Sequence, residues 1–236
     1  MTYFHKVRHA AVAAAALALV GGAQAAGFVD SGPTFAPTTE LISFDSYDGL
    51  LYDATLYPTG LALESGGIVR LTTVDGGALI GAFVQDLEGN GLWGARFDVT
   101  PTGIGNFLAA TQTINFDFGT HGPQARVGAF FNLSQPLSGP KGNQITLTAL
   151  DGMGAELESF SFGVDTDAAS YNEGVFAGFD RTSADIASFR VSFTAGGSVV
   201  MDELHLTAVP VPEASTWAMM VAGLAAMGAL ARRRRA

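Results

Sequence analysis

The chain contains no cysteine. That excludes a disulfide framework, a thiol nucleophile and any thiolate metal site, so a domain of this sequence depends on its core for stability. Base is also scarce. Between residues 27 and 208 only Arg70, Arg96, Arg126, Lys141, Arg181 and Arg190 are basic, against the chain's 22 acids less Glu213. This stretch is more acidic than the whole chain's formal −10, a balance that repels nucleic acid and anionic lipid. Histidine is rarer still: His121 and His205 stand alone there, with no His-x-x-x-His pair for zinc and no Gly-x-Ser-x-Gly elbow for acyl transfer. Between residues 40 and 207 no helical period of any length is readable.

What is present begins with the two ends. Lys6 and Arg8 precede an apolar run, Ala10 to Val20, and Ala23-Gln24-Ala25 is an A-x-A cleavage site, which predicts a signal peptide over 1–25 and a mature chain from about Ala26. Export through the Sec translocon and signal peptidase is therefore expected. At the other end Pro210 to Thr216 is polar and proline-punctuated, and Trp217 to Ala231 is uncharged and apolar. Arg232, Arg233, Arg234 and Arg235 follow as a basic stop that holds the end on the cytoplasmic side. A single transmembrane helix is expected over 216–231. These 16 residues fall short of the ~20 of a comfortable span, which suits temporary residence in the inner membrane.

Val211-Pro212-Glu213, then Ser215-Thr216-Trp217-Ala218-Met219-Met220, the run with Gly223 and Gly228, and the arginine cluster resemble the PEP-CTERM sorting tail of bacterial exported proteins. Ala214 stands where that family has a second proline. The resemblance makes 209–236 a sorting tail with its motif at 211–217. It implies an exosortase as partner and cleavage near Pro212-Glu213. Transient inner-membrane anchoring would precede a final place on the cell surface or in the exopolysaccharide matrix of a Gram-negative bacterium. On this reading Val211, Pro212, Glu213, Ser215, Thr216 and Trp217 are recognised rather than catalytic.

The body, 26–208, reads as all-β. Ile114, Phe116 and Phe118 alternate with polar neighbours, as do Ile145, Leu147 and Ala149, Phe160 and Phe162, and Phe189, Val191 and Phe193. Leu41–Asp45, Ile68–Val74, Leu79–Val84, Leu92–Val99, Arg126–Asn132, Gly174–Phe179 and Val199–Thr207 are further candidates, separated by glycine-rich turns. Eight to eleven strands in a jelly-roll-like antiparallel β-sandwich is the architecture expected.

The closing stretch, Phe176–Asp180, Ile186–Phe193 and Val199–Leu206, resembles the last strands of carbohydrate-binding jelly rolls. That resemblance implies an acidic residue late in the final strand that helps hold a structural calcium. Asp202 falls in the row of Val200, Leu204 and Leu206, where a carboxylate needs a cation or donors. The candidate ligands are Asp202 with Glu40 or Asp45, the alternative for Asp202 being a salt bridge or a backbone-bonded turn.

Two other acidic loops invite a metal reading. In Asp86-Leu87-Glu88-Gly89-Asn90-Gly91 positions 1, 5 and 6 fit a calcium loop, but position 12 is Phe97, and a Gly-Asn-Gly hairpin turn is the better account. Asp165-Thr166-Asp167 offers two carboxylates to a metal or to solvent. Tyr47, Tyr52 and Tyr57 recur in an irregular segment and are candidate sugar-stacking residues, while Trp93 reads as core.

Glycoside hydrolysis needs two suitably spaced carboxylates and nothing here singles out a pair, so no enzyme is expected. The expected function is an exported, non-catalytic surface or matrix protein associated with exopolysaccharide. The alternative is a lectin-like carbohydrate-binding module with calcium as its candidate ion.

Overall fold

The computed structural model describes residues 27–30, 40–47, 51–52, 59–63, 69–73, 79–82, 84–94, 107–110, 112–194, 197–208, 222–224 and 227. The signal peptide, the sorting motif at 211–217, the basic end 232–235 and Tyr57 lie outside them, as do the side chains of Asp45 and Tyr52. Of the expected span at 216–231, residues 222–224 and 227 are helical. Among the described residues no helix is long and apolar enough to cross a membrane.

Sixteen strand segments are found among the described residues: β1 (Gly27–Asp30), β2 (Glu40–Ile42), β3 (Leu51–Tyr52), β4 (Leu61–Leu63), β5 (Val69–Thr73), β6 (Leu79–Ala82), β7 (Val84–Asp86), β8 (Leu92–Gly94), β9 (Phe107–Ala110), β10 (Ile114–Asp117), β11 (Arg126–Leu133), β12 (Ile145–Leu150), β13 (Glu156–Phe162), β14 (Val175–Asp180), β15 (Ser188–Phe193) and β16 (Val199–Thr207). This exceeds the eight to eleven expected, because segments of two to four residues such as β3, β4 and β7 are too short to show alternation.

The strands form an eight-stranded sheet in the order β1-β14-β11-β16-β9-β6-β3, with β2 also on β16. A six-stranded sheet runs β13-β12-β15-β10-β5-β4, and β7-β8 is a separate hairpin. Every pairing between these strands is antiparallel.

One core joins the two large sheets. Val127, Ala129, Phe131 and Leu133 of β11 and Ala177 and Phe179 of β14 face Ile145, Leu147 and Ala149 of β12 and Phe189 and Val191 of β15. The alternation read from the sequence is the cause: each strand sends every second side chain inward. Each fully buried phenylalanine contributes about 1.5–3 kcal/mol by leaving water. Ring edges meet ring faces where the sheets interdigitate, as between Phe160 and Phe179 (centroids 5.3 Å, 82°).

The eight-stranded sheet has a second apolar layer on its other face. Phe130, Phe176 and Val200 point away from the main core and are buried beneath Leu87 and Trp93 of the β7–β8 region. Trp93 is core, as the sequence predicts, but of this second cluster rather than the first.

Two irregularities set the phase of individual strands. In β13 the register against β12 shifts between Ala149 and Leu150, opposite Glu158 and Glu156, and Leu157 is the extra residue. This bulge lets Leu157 and Phe160 both pack on the core although their spacing is odd. In β16 the register against β11 shifts between Gly128 and Phe130, and Glu203 is left-handed at φ 50°. Val199 and Met201 enter the main core before the bulge, and Leu204 and Leu206 after it. Asp202 therefore shares Val200's side of the sheet and not that of Leu204 and Leu206, which corrects the single row read from the sequence.

Candidate functional site: a lysine held by two acidic loops

The two acidic loops that the sequence offers separately to a metal converge in the fold, with a lysine between them. The first is the turn from β7 to β8. Leu87 N–H donates to Gly91 O (2.8 Å), Asn90 N–H to Leu87 O (3.1 Å) and Gly91 N–H to Glu88 O (3.0 Å). It is a hairpin turn, as the Gly-Asn-Gly reading holds. Its would-be metal ligands are spent elsewhere: Asp86 Oδ1 accepts Glu88 N–H at 2.8 Å, and Glu88 is exposed and left-handed at φ 55°.

The glycines bring this turn close to its neighbours. A methyl group at Gly89 would lie 2.4 Å from Pro136 O. One at Gly91, whose φ is +76°, would lie 2.3 Å from Ser170 O. Asn90 is thereby driven between two loops and fully buried.

Its orientation is dictated by what it meets. Nδ2 faces acceptors only: Asn132 Oδ1 at 2.9 Å, Leu133 O at 2.8 Å and Val164 O at 3.0 Å. Oδ1 accepts Thr166 N–H at 3.1 Å and the Lys141 ammonium at 3.2 Å. Its backbone carbonyl accepts the hydroxyls of Thr166 (2.9 Å) and Ser170 (3.0 Å).

Lys141 reaches in from the loop after β11. Its Nζ donates to Gly89 O at 3.0 Å and to Thr166 O, and pairs with Asp165 Oδ1 at 2.6 Å. With Asn90 Oδ1, four oxygens from two loops surround one ammonium. Asp167 turns away to cap its own loop, accepting Ala169 N–H at 2.9 Å. Gln135 N–H completes the junction by donating to Leu87 O (3.2 Å), while its carbonyl accepts Gly89 N–H (2.8 Å).

The sequence reading missed Lys141 and the role of Asn90. One local signal existed: Lys141 is the only lysine between residues 27 and 208. Nothing in one dimension places it 51 positions from its partner Asn90.

The other predicted site residues lie apart. Asp202, opposite Phe130 on β11, is 4 % exposed, and its Oδ1 accepts Glu203 N–H at 2.8 Å, closing the bulge. Glu40 pairs with Leu206 further along β16, and its carboxylate lies 3.0 Å from His121 Nε2. Asp45 begins the short 3₁₀ turn Asp45–Tyr47. Among the described residues no three acids or histidines gather as a metal site. Tyr47 rests partly buried on the core beside Phe44 (centroids 6.4 Å), and Tyr52 belongs to β3.

His121 is held by Glu40, its side chain 20 % exposed. His205 points outward from the main core. It pairs with Glu203 at 3.2 Å and sets its ring edge-on to Phe176. Arg181 forms a forked pair with Asp185 (2.6 and 2.9 Å). Its guanidinium is raised above its ordinary value, first by the hydrogen bond to Asp185 and then, against desolvation, by the charges of Asp185 and Glu158.

A family model described as "PEP-CTERM protein-sorting motif" matches residues 210–235. The chain thus carries a sorting tail that implies an exported, exosortase-sorted protein of the Gram-negative envelope or surface. No curated protein matches the chain. Among solved structures, the CBM22-1 xylan-binding domain from Paenibacillus barcinonensis Xyn10C is similar at 13 % identity over 79 % of this chain and 98 % of that one, TM-score 0.34. CsCBM6-3 from Clostridium stercorarium, solved with cellobiose, is similar at 16 % identity over 71 % and 92 %, TM-score 0.29. The enzymatically active domain of tailspike protein 4 from bacteriophage CBA120 is similar at 10 % identity, TM-score 0.32. The match covers 58 % of this chain and only 19 % of the tailspike.

Proposed function

We propose that this is an exported, non-catalytic surface or matrix protein whose jelly-roll-like body is delivered through its tail and held in exopolysaccharide. The observation that carries the reading is the sorting motif at 210–235, which follows the last strand of an all-β body in the sequence. Secretion through Sec, release from the signal peptide after Ala25 and processing near Pro212-Glu213 belong to the same proposal. The test compares full-length protein in hosts with and without an exosortase. Shortening and transfer to the surface or matrix only when the exosortase is present is the expected result. Identical size and membrane retention in both hosts would overturn the reading.

A second reading, a carbohydrate-binding module, is favoured by the outward face of the six-stranded sheet. Ser161, Thr146 and Ser192 align across it, as do Ser159, Thr148, Arg190, Asn115 and Thr72. Hydroxyls and amides at strand spacing suit a polyhydroxyl chain, and the hydroxyls of Thr146 and Ser161 are exposed there. Saturable binding of an exopolysaccharide, lost on replacing Asn115 and Thr72 with alanine, would establish this reading. Calcium at Asp202, on the Val200 side of the sheet, is part of it, but without Glu40, which pairs with Leu206 and so lies on the other face. A wild-type melting temperature that falls in chelator, in an Asp202-dependent manner, is its mark.

A further inference from the structure

We propose that the pocket between the two acidic loops is a cation site in which the chain supplies its own cation. The donor set is that of a hard-metal centre: backbone carbonyls from Gly89 and Thr166, the side-chain carbonyl of Asn90 and one carboxylate, Asp165. Calcium takes such oxygens from carboxylates, amides and main chain. Here the ammonium of Lys141 occupies the centre, with its nitrogen 2.6 Å from Asp165 Oδ1, 3.0 Å from Gly89 O and 3.2 Å from Asn90 Oδ1.

Three features mark the pocket as built for a cation rather than as a chance salt bridge. Asn90 is fully buried, and its amide faces acceptors on the far side, so its carbonyl has no choice but to point at the pocket. Gly89 and Gly91 are held where no side chain fits, and Gly89 presents its own carbonyl to Lys141. Asp165 is the sole carboxylate on the ammonium among the described residues, so one negative charge faces one positive charge.

The consequence is a latent metal site. Removing the lysine leaves three inward-facing carbonyl oxygens and the exposed carboxylate of Asp165 without their cation, a donor set that a calcium ion can take up. Calcium, at about 2.3–2.6 Å, asks these oxygens to close in less from their 2.6–3.2 Å around the ammonium than magnesium does, which demands an octahedron at about 2.0–2.1 Å. In the natural chain the tethered ammonium cannot be stripped by a chelator or by an anionic polymer. The two loops therefore stay joined where free divalent ions are scarce. The inference is independent of the sorting and carbohydrate readings.

The test uses the full-length protein and thermal unfolding in chelator, in calcium chloride and in magnesium chloride. Lys141→Ala is expected to melt several degrees lower than wild type in chelator, and calcium but not magnesium restores at least half of that loss. Lys141→Met, whose side chain still fills the pocket, is expected to melt low and to gain no more from calcium than wild type does. Equal calcium responses in wild type and Lys141→Ala would overturn the proposal. So would an equal response in Lys141→Met. If Lys141→Ala does not fold in chelator, refolding from urea decides: folded protein only with calcium supports the site, and aggregation in both buffers refutes it.

Discussion

The backbone N–H of Gly27 donates to Glu158 Oε1 at 2.5 Å, across the gap between the two sheets. β1 edges the eight-stranded sheet and β13 the six-stranded one, so this bond closes the sandwich along one side. The second oxygen of Glu158 lies 3.4 Å from Arg181. Glu158→Ala leaves both donors without their partner and is expected to cost about 1–2 kcal/mol in urea unfolding, with Glu158→Gln costing less because it keeps an acceptor for Gly27. Equal losses would show that the bond to Gly27 carries no weight.

Asn90 provides the sharpest test of the loop junction. Asn90→Ala strands several buried groups and is expected to lose about 2–4 kcal/mol. Asn90→Asp is isosteric and adds a charge beside Lys141, yet it sets a carboxylate oxygen against Asn132 Oδ1, Leu133 O and Val164 O. It should be no better than the alanine variant. Wild-type stability for Asn90→Asp would mean that the amide orientation described here is wrong.

Glu88 is exposed and left-handed, a conformation that costs an L-residue about 1–2 kcal/mol unless it is Gly, Asn or Asp. Glu88→Asn keeps the turn and relieves part of that strain, for an expected gain of about 0.5–1 kcal/mol. A fall in melting temperature would show that the Glu88 side chain makes a compensating contact.

Arg181 is raised above its ordinary value, so its contribution to stability is fully present below the unfolded-state value and is lost only as pH rises through the higher folded-state one. Between pH 5 and 9 its own titration adds no slope to stability. Arg181→Lys keeps the charge but loses the fork on Asp185 and is expected to cost about 1 kcal/mol at any pH in that range, read by urea unfolding. A cost confined to one end of the range would point to a different titrating group.

The fold was legible where alternation was long and clean. β10, β12 and β15 bury the residues that the two-residue period selects, and β16 has the predicted bounds. What the sequence hid was phase. Nothing in Asp202-Glu203 announces a left-handed residue, so the row from Val200 to Leu206 looked continuous although the bulge divides it. The loop junction was hidden for another reason. Asp86–Gly91, Lys141 and Asp165–Asp167 each look ordinary alone, and only the third dimension brings their oxygens round one nitrogen.

The bulge at Asp202–Glu203 also governs how the body bears load. Before it, β16 pairs with β9 through Val199–Met201; after it, with β2 through Leu204–Leu206; and β11 runs along its opposite edge. The strand nearest the tail is therefore an interior one, gripped from both sides by three others. A pull on the chain beyond residue 208 acts along that strand, so its interstrand hydrogen bonds are sheared together rather than opened one at a time from a free edge. A body tethered by such a strand resists being unravelled through its own leash.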